Sequence, residues 1–465
     1  MAELLLTHGY FLYEDPKELQ IMKPYAPLGI LYLCSHLRKQ GFDVDVFDTT
    51  FSNRETLFQH LRTETPTVVG IYANLMTRGN VVEILTVARE AGWRTIVGGP
   101  EPGAYALEYL QAGADYVVFG EGELTMQDLL EAFRADAAES CIDIPGLAYL
   151  DSTGAMHETG QRAQIADLDS QPWPARHVID VSRYVKTWRD AHGKGSVNFI
   201  TARGCPYKCR WCSHQVFGQT HRRRDPLLVV DEVEWLLQTY SPDMVWVSDD
   251  VFTINHKWIR DYAAEMRRRS LRIPFECISR ADRLNAEMLD LLAELGCFRV
   301  WIGSESGSQR ILDAMDRGVK VEQVQQAVAL TRERGIESGM FLMWGYEGEE
   351  LDDIEATIKH VSVSQPDIFF TTVSYPIKGT PYYNKVSDRL VQPKPWGVSS
   401  DREIKIQGRH SRTFYSYADK LLKEEVQLAR LAGTPAAQSD LAATLRSQIQ
   451  LSRAGLHSTR MEVEA

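Results

Sequence analysis

Short apolar runs recur along the first 135 residues, at 4–6, 44–47, 68–71, 95–97 and 116–119, and each ends in a polar or glycine-rich turn. Between them, residues 29–40 and 81–91 carry apolar positions at helical spacing. Five strands interleaved with helices predict a doubly wound parallel sheet, whose ligands lie over the strand C-termini. The pattern changes over 136–195, where Gly146 to Leu150 and the turn Asp151-Ser152-Thr153-Gly154 read as a hairpin, and Pro172 and Pro174 break any helix. That stretch reads as a linker.

The alternation resumes at Ser196, with predicted strands at 197–201, 244–248, 275–278, 298–302, 339–343 and 368–373. Helical patterns separate them at 227–239, 257–269, 286–295, 321–334 and 352–363. These are six strand–helix units; a closed eight-stranded barrel would need more chain. Beyond 384 the alternation stops, residues 415–431 and 439–451 read as amphipathic helices, and 457–465 as a disordered end. The expected organisation is therefore 1–135, 136–195, 196–383 and 384–465.

Composition narrows the class. The chain has 465 residues, 44% hydrophobic and 25% charged, with a net charge of −12. That length calls for two or three domains of a soluble protein. The negative charge argues against nucleic acid as a partner, and no apolar run is long enough for a membrane span. The sharpest basic patch, Arg222-Arg223-Arg224, reads as a solvated loop, or as a receiver for an acidic substrate or electron donor.

Chemistry concentrates in Cys205, Cys209 and Cys212, a C-x3-C-x2-C cluster after the apolar run that ends at Ile200. Three thiolates can hold three corners of a [4Fe-4S] cluster and leave one iron open; structural zinc is the alternative, with His214 or His221 as a fourth ligand. Seven cysteines, too few for a disulfide scaffold, and no signal-like N-terminal run point to the cytoplasm. Cys34, Cys141, Cys277 and Cys297 read as small core hydrophobes.

The cluster resembles that of the radical S-adenosylmethionine (radical SAM) enzymes. The resemblance implies that Cys205, Cys209 and Cys212 bind the cube, that S-adenosylmethionine chelates the open iron, and that one electron releases a 5'-deoxyadenosyl radical. It implies a role near the adenine for Trp211, although loop packing would equally explain that residue. Asp249 and Asp250, Ser304 and Glu305, and Gly345 follow the second, fourth and fifth barrel strands, where the family receives the methionyl amine, the ribose and carboxylate, and the adenine. Pro27-Leu28-Gly29, Gly98-Gly99-Pro100 and the turn Gly120-Glu121-Gly122-Glu123 resemble the cobalamin-binding domain that precedes many radical SAM domains. Asn74, Thr77, Gly98, Gly99, Gly120 and Glu121 are the implied cofactor contacts. Asp190-x-His192-x-x-Gly195 matches the motif by which other cobalamin proteins supply a histidine, but it lies outside the sheet domain and reads as coincidence. His8 reads as a turn residue.

The whole is thus expected to be α/β: a Rossmann-like cobalamin-binding domain, a partial (β/α)6 TIM-like radical SAM barrel and a helical C-terminal region. The expected activity is C-methylation of an unactivated carbon in a small-molecule substrate. A flavodoxin or ferredoxin would donate the electron. An oxidative cyclase like the anaerobic magnesium-protoporphyrin ester cyclase, a methylthiotransferase and a non-enzymatic cobalamin or redox sensor stand as alternatives.

Overall fold

The computed structural model describes residues 2–136, 141, 143–432 and 434–464. They fall into two compact units: Met1–Pro206 with Ser213–Trp246 and Lys394–Ser400, and Tyr207–Cys212 with Val247–Pro393 and Asp401–Ala465.

The first unit carries strands β1 (Leu4–His8), β2 (Val44–Phe47), β3 (Val68–Tyr72), β4 (Arg94–Gly98), β5 (Tyr116–Val118), β6 (Leu147–Leu150) and β7 (Met156–Glu158), in the sheet order β2-β1-β3-β4-β5-β6-β7. The first five are parallel. Successive residues feed opposite cores: Leu5, Val69, Ile71 and Val97 join one apolar cluster, while Leu4, Leu6, Val68 and Ile96 join the other. A sheet buried on both faces explains why its strands are continuously apolar rather than alternating. Chain order reverses between β1 and β3, so the crevice at their C-terminal ends is the switch point where such folds place ligands.

The hairpin expected within 136–195 is present, and the rest of that stretch, expected to be linker, also carries a helix over Val181–His192. The hairpin of β6 and β7 pairs antiparallel onto β5 and so covers an edge that would otherwise expose unpaired backbone groups. Residues 137–140 and 142, at the expected domain boundary, lie outside the described residues.

A second sheet has six strands: β8 (Ser196–Phe199), β9 (Met244–Val247), β10 (Phe275–Ser279), β11 (Cys297–Glu305), β12 (Glu337–Trp344) and β13 (Ile368–Val373), ordered as numbered. Strands β10 to β13 pair in parallel. The two helices that flank β10 begin with side-chain caps, Asn255 accepting from Trp258 N–H and Asn285 from Met288 N–H, which is why those loops end where they do.

The C-terminal end departs from expectation. A helix runs over Asp440–Ser458, and the residues after it fold back onto their own unit. The Glu464 carboxylate is buried and accepts from Arg409 and from the Ile406 N–H, while Val463 bridges to His410. Disorder was the wrong expectation because the partners lie more than fifty residues away in sequence. Ala465 lies outside the described residues.

Candidate functional site

Gly204 opens the cysteine loop in the left-handed region at φ +87°, and a Cβ there would stand 2.3 Å from the Thr220 carbonyl oxygen. Only glycine admits that approach. Further on, Arg210 N–H donates to Met315 O, and Tyr382 N–H donates to Arg210 O. Trp211 packs against the apolar cluster of Met315, Met343, Tyr346 and Tyr382.

Cys209 is the most buried of the three thiols. Two buried guanidiniums face it, Arg280 Nη1 and Arg317 Nη1, each 4.0 Å from Sγ. Arg280 lies 3.5 Å over the Tyr207 ring, whose hydroxyl accepts from Arg283 at 2.6 Å. A hydrogen bond from Cys212, together with the Arg317 and Arg280 charges, outweighs burial and brings the Cys209 thiol down to about 6. That shift favours the thiolate, the form that ligates iron. Neither Arg280 nor Arg317 is among the expected contacts: Arg280 directly follows β10 and reads in the sequence only as the end of the third barrel strand, while Arg317 follows a helix and nothing in its neighbours marks it.

Beyond β11, the serines of the Ser304 to Ser308 loop are held by the helix Leu351–Ser364. Ser304 Oγ lies 3.1 Å from His360 Nε2, Ser306 Oγ 3.1 Å from Thr357 Oγ1, and Ser308 Oγ donates to Asp353 at 2.6 Å. Burial holds His360 neutral, its proton affinity down to about 4. Ser304, expected to contact a cofactor, also meets this helix through its hydroxyl. Glu305 does not share that fixation. It sits at a bulge with φ +63°, a left-handed conformation rare outside glycine, and Arg317 Nε is 3.8 Å away. Burial pushes its carboxyl up to about 7, with Arg317 opposing. Strained backbone and a displaced titration at one residue mark a functional position.

Gly345, after β12, has φ +71°, and a Cβ would come 2.9 Å from the Tyr415 ring. The close neighbour of this expected adenine-edge glycine is the chain's own tyrosine. The nearby Glu349 accepts from Gly345 N–H and is raised to about 8, mainly by burial. Asp249 is buried and Asp250 exposed, so only the latter is open to solvent.

In the first unit, the predicted cofactor residues gather at the C-terminal ends of the adjacent strands β3, β4 and β5. Asn74 Oδ1 accepts from the Met76 and Thr77 N–H groups, and Thr77 Oγ1 from Asn74 N–H. Gly99, just after β4, has φ +120°, and a Cβ there would stand 2.3 Å from Ala73 O, so only glycine fits. Gly98 continues β4, and Gly120 turns the chain at φ +68°. Glu121 does not present a free carboxylate. It accepts from Arg203 and Arg222, and Glu123 also accepts from Arg203. Arg224 and Arg176 share the fully buried Glu232. The Arg222 to Arg224 run is thus not a freely solvated loop: Arg222 turns to Glu121, Arg223 donates to the Thr201 hydroxyl, and Arg224 pairs with Glu232. His8, expected to be a turn residue, is instead the last residue of β1, paired with Tyr72, and is engaged on both ring nitrogens, Nδ1 accepting from Tyr10 N–H and Nε2 meeting Asp48 at 3.0 Å. His192 meets Ile21 O at 2.9 Å, in keeping with a coincidental motif. Cys34, Cys141, Cys277 and Cys297 are all buried.

Three thiols on one loop, one of them flanked by two guanidiniums, match the three-cysteine donor set of a [4Fe-4S] cluster. Among the described residues, no group of three His, Cys, Asp or Glu side chains is gathered as on a single metal ion.

Residues 199–361 match the radical SAM superfamily, and residues 21–130 the B12-binding domain. An uncharacterized methyltransferase of Pyrococcus horikoshii is 28% identical over 383 residues, covering 80% of each chain. The anaerobic magnesium-protoporphyrin IX monomethyl ester cyclase of Cereibacter sphaeroides is also 28% identical, covering 80% of this chain and 62% of that one. In fold, the chain is similar to the radical S-adenosylmethionine methyltransferase TsrM from Kitasatospora setae, with TM-score 0.73, 18% identity, and 98% and 100% of the two chains covered. No described helix is long and apolar enough to cross a membrane. The B12-binding match thus lies ahead of the radical SAM match, so the chain joins a B12-binding domain to a radical SAM domain.

Proposed function

We propose that this enzyme cleaves S-adenosylmethionine reductively and uses cobalamin to methylate a carbon centre of a small-molecule substrate. The observation that carries the reading is the Cys209 thiolate between two buried guanidiniums, on a loop whose other thiols are Cys205 and Cys212. These cysteines would hold a [4Fe-4S] cluster, and the strand ends that bear Asn74, Thr77, Gly98, Gly99 and Gly120 would line the cobalamin edge. When bound, the cluster supplies one electron to the sulfonium, and cobalamin supplies a methyl carrier.

The chain's own residues place and shield. Arg280 and Arg317 offset negative charge beside Cys209. Glu305 and the exposed Asp250 are the carboxyl groups offered to an aminoacid-like ligand. The helix Leu351–Ser364 fixes the loop that aims Glu305. An external one-electron donor such as a flavodoxin or ferredoxin completes the reaction. A second reading, oxidative cyclisation, is favoured by similarity to a protein named as a cyclase.

Anaerobic, iron-reconstituted protein incubated with S-adenosylmethionine and dithionite tests the first step. Release of 5'-deoxyadenosine is expected, together with corrin and iron–sulfur absorption. Stoichiometric zinc without inorganic sulfide would overturn the reading. A methylated product separates methyl transfer from cyclisation.

A further inference from the structure

One group of side chains in the second unit takes no part in the arrangement above. Trp301 of β11, Phe341 of β12 and Phe370 of β13 lie with near-parallel rings, at interplanar angles of 13°, 16° and 20° and centroid separations of 5.1, 5.4 and 6.4 Å. Near-parallel planes at such spacings are laterally offset, so the rings tile a surface rather than form a column. Gly339 makes this possible, because a Cβ there would stand 2.2 Å from the indole, which therefore lies flat on the sheet. Trp301 Nε1 donates to Glu276 at 2.9 Å, and Arg299 donates to the same carboxylate at 3.1 Å, so the indole is locked and its charged neighbours neutralise one another.

The surface is not core. Phe370 is 57% exposed, in contrast to the 8% of Trp301 beneath the arrangement. It is also continuous with the reactive end of the sheet. Phe341 pairs in register with Gly303 and with Phe370. Gly303 shares their face, since a Cβ on it would meet Arg317 Nη2 and Glu305 Oε1. Arg317 donates to Gly303 O at 2.8 Å and reaches Cys209 Sγ at 4.0 Å. The aromatic tiles thus lie one pleat below the residues that flank the cluster cysteine.

We infer that Trp301, Phe341 and Phe370 form a substrate floor that receives an uncharged, planar, conjugated ring. Stacking holds the ring flat and leaves its substituents directed along the strands toward Glu305 and Cys209. A puckered aliphatic skeleton of equal size would touch the tiles at fewer points. This inference rests on the proposed reaction for its purpose, but not for its test.

The test measures Kd by calorimetry on anaerobic, reconstituted full-length protein, with 1-naphthalenemethanol and its perhydro analogue as probes. The flat probe should bind about five- to tenfold more tightly. Phe370→Ala, at a surface position, should abolish that preference, as should Phe341→Leu; Val363→Ala, which removes an apolar side chain that is 61% exposed elsewhere in the same unit, should not. Equal affinity for the two probes, or an undiminished preference in Phe370→Ala, overturns the floor. 5'-Deoxyadenosine release is measured on the same samples: cleavage without discrimination removes the floor and leaves the reaction, and discrimination without cleavage does the reverse.

Discussion

The two parallel sheets place different chemistry at their strand ends. In the first unit, nearly every polar group there is satisfied by its own chain: Asn74 and Thr77 close a turn, His8 is bound at both nitrogens, and Glu121 is shared by two arginines. In the second, Glu305 is strained and titrates near 7, Glu349 titrates near 8, and Cys209 near 6. A large cofactor can be held by shape and glycine-lined backbone, which asks nothing of individual titrations. Reactive groups must carry displaced ones, and the surrounding packing must sustain them.

The sharpest break in this comparison is Cys209→Ala, which should abolish 5'-deoxyadenosine release while the fold, followed by circular dichroism, persists. Cleavage at the parent rate would show that the second unit is not the reactive one. Next in size is Arg203→Leu in the first unit, which leaves Glu121 and Glu123 buried with a partner missing. Loss of one member of a buried pair should cost about 3–5 kcal/mol in chemical denaturation. A loss below about 1 kcal/mol would show that the network is dispensable.

Glu305→Gly should act oppositely on stability and function. Relief of the φ +63° strain should offset glycine's added chain entropy, keeping stability within about 1 kcal/mol of the parent, while S-adenosylmethionine cleavage falls. Unchanged cleavage would remove Glu305 from the site. The smallest effect is a slope. Glu349 is raised from 4.5 to about 8, so the native chain retains a proton that the unfolded chain releases. Its contribution to stability is complete below pH 4.5 and is lost as pH rises through 8. Glu349→Gln should flatten the decline in denaturation midpoint over that window, and an unaltered slope would place the titration elsewhere.

Much of this was legible in sequence, and for local reasons. Residues 68–71 read as a strand and the strand is Val68–Tyr72; residues 286–295 read as a helix and the helix is Ala286–Leu295, with Asn285 as its cap and Gly296 as its stop. Glycines before and between reactive segments, such as Gly204 and Gly345, announced tight approaches, though not what approaches them. At Gly345 it is Tyr415, seventy positions on.

Sequence by itself determined the two alternations of strand and helix, the three spaced thiols and the order of polar turns after them, because periodicity and spacing are properties of neighbouring residues. Only the tertiary structure decided that Arg280 and Arg317 attend Cys209, that Arg222 turns inward to a carboxylate 101 positions away, and that Glu464 anchors the tail. Those outcomes depend on which charges lose their water together, and burial is set by the packed whole rather than by any stretch of chain.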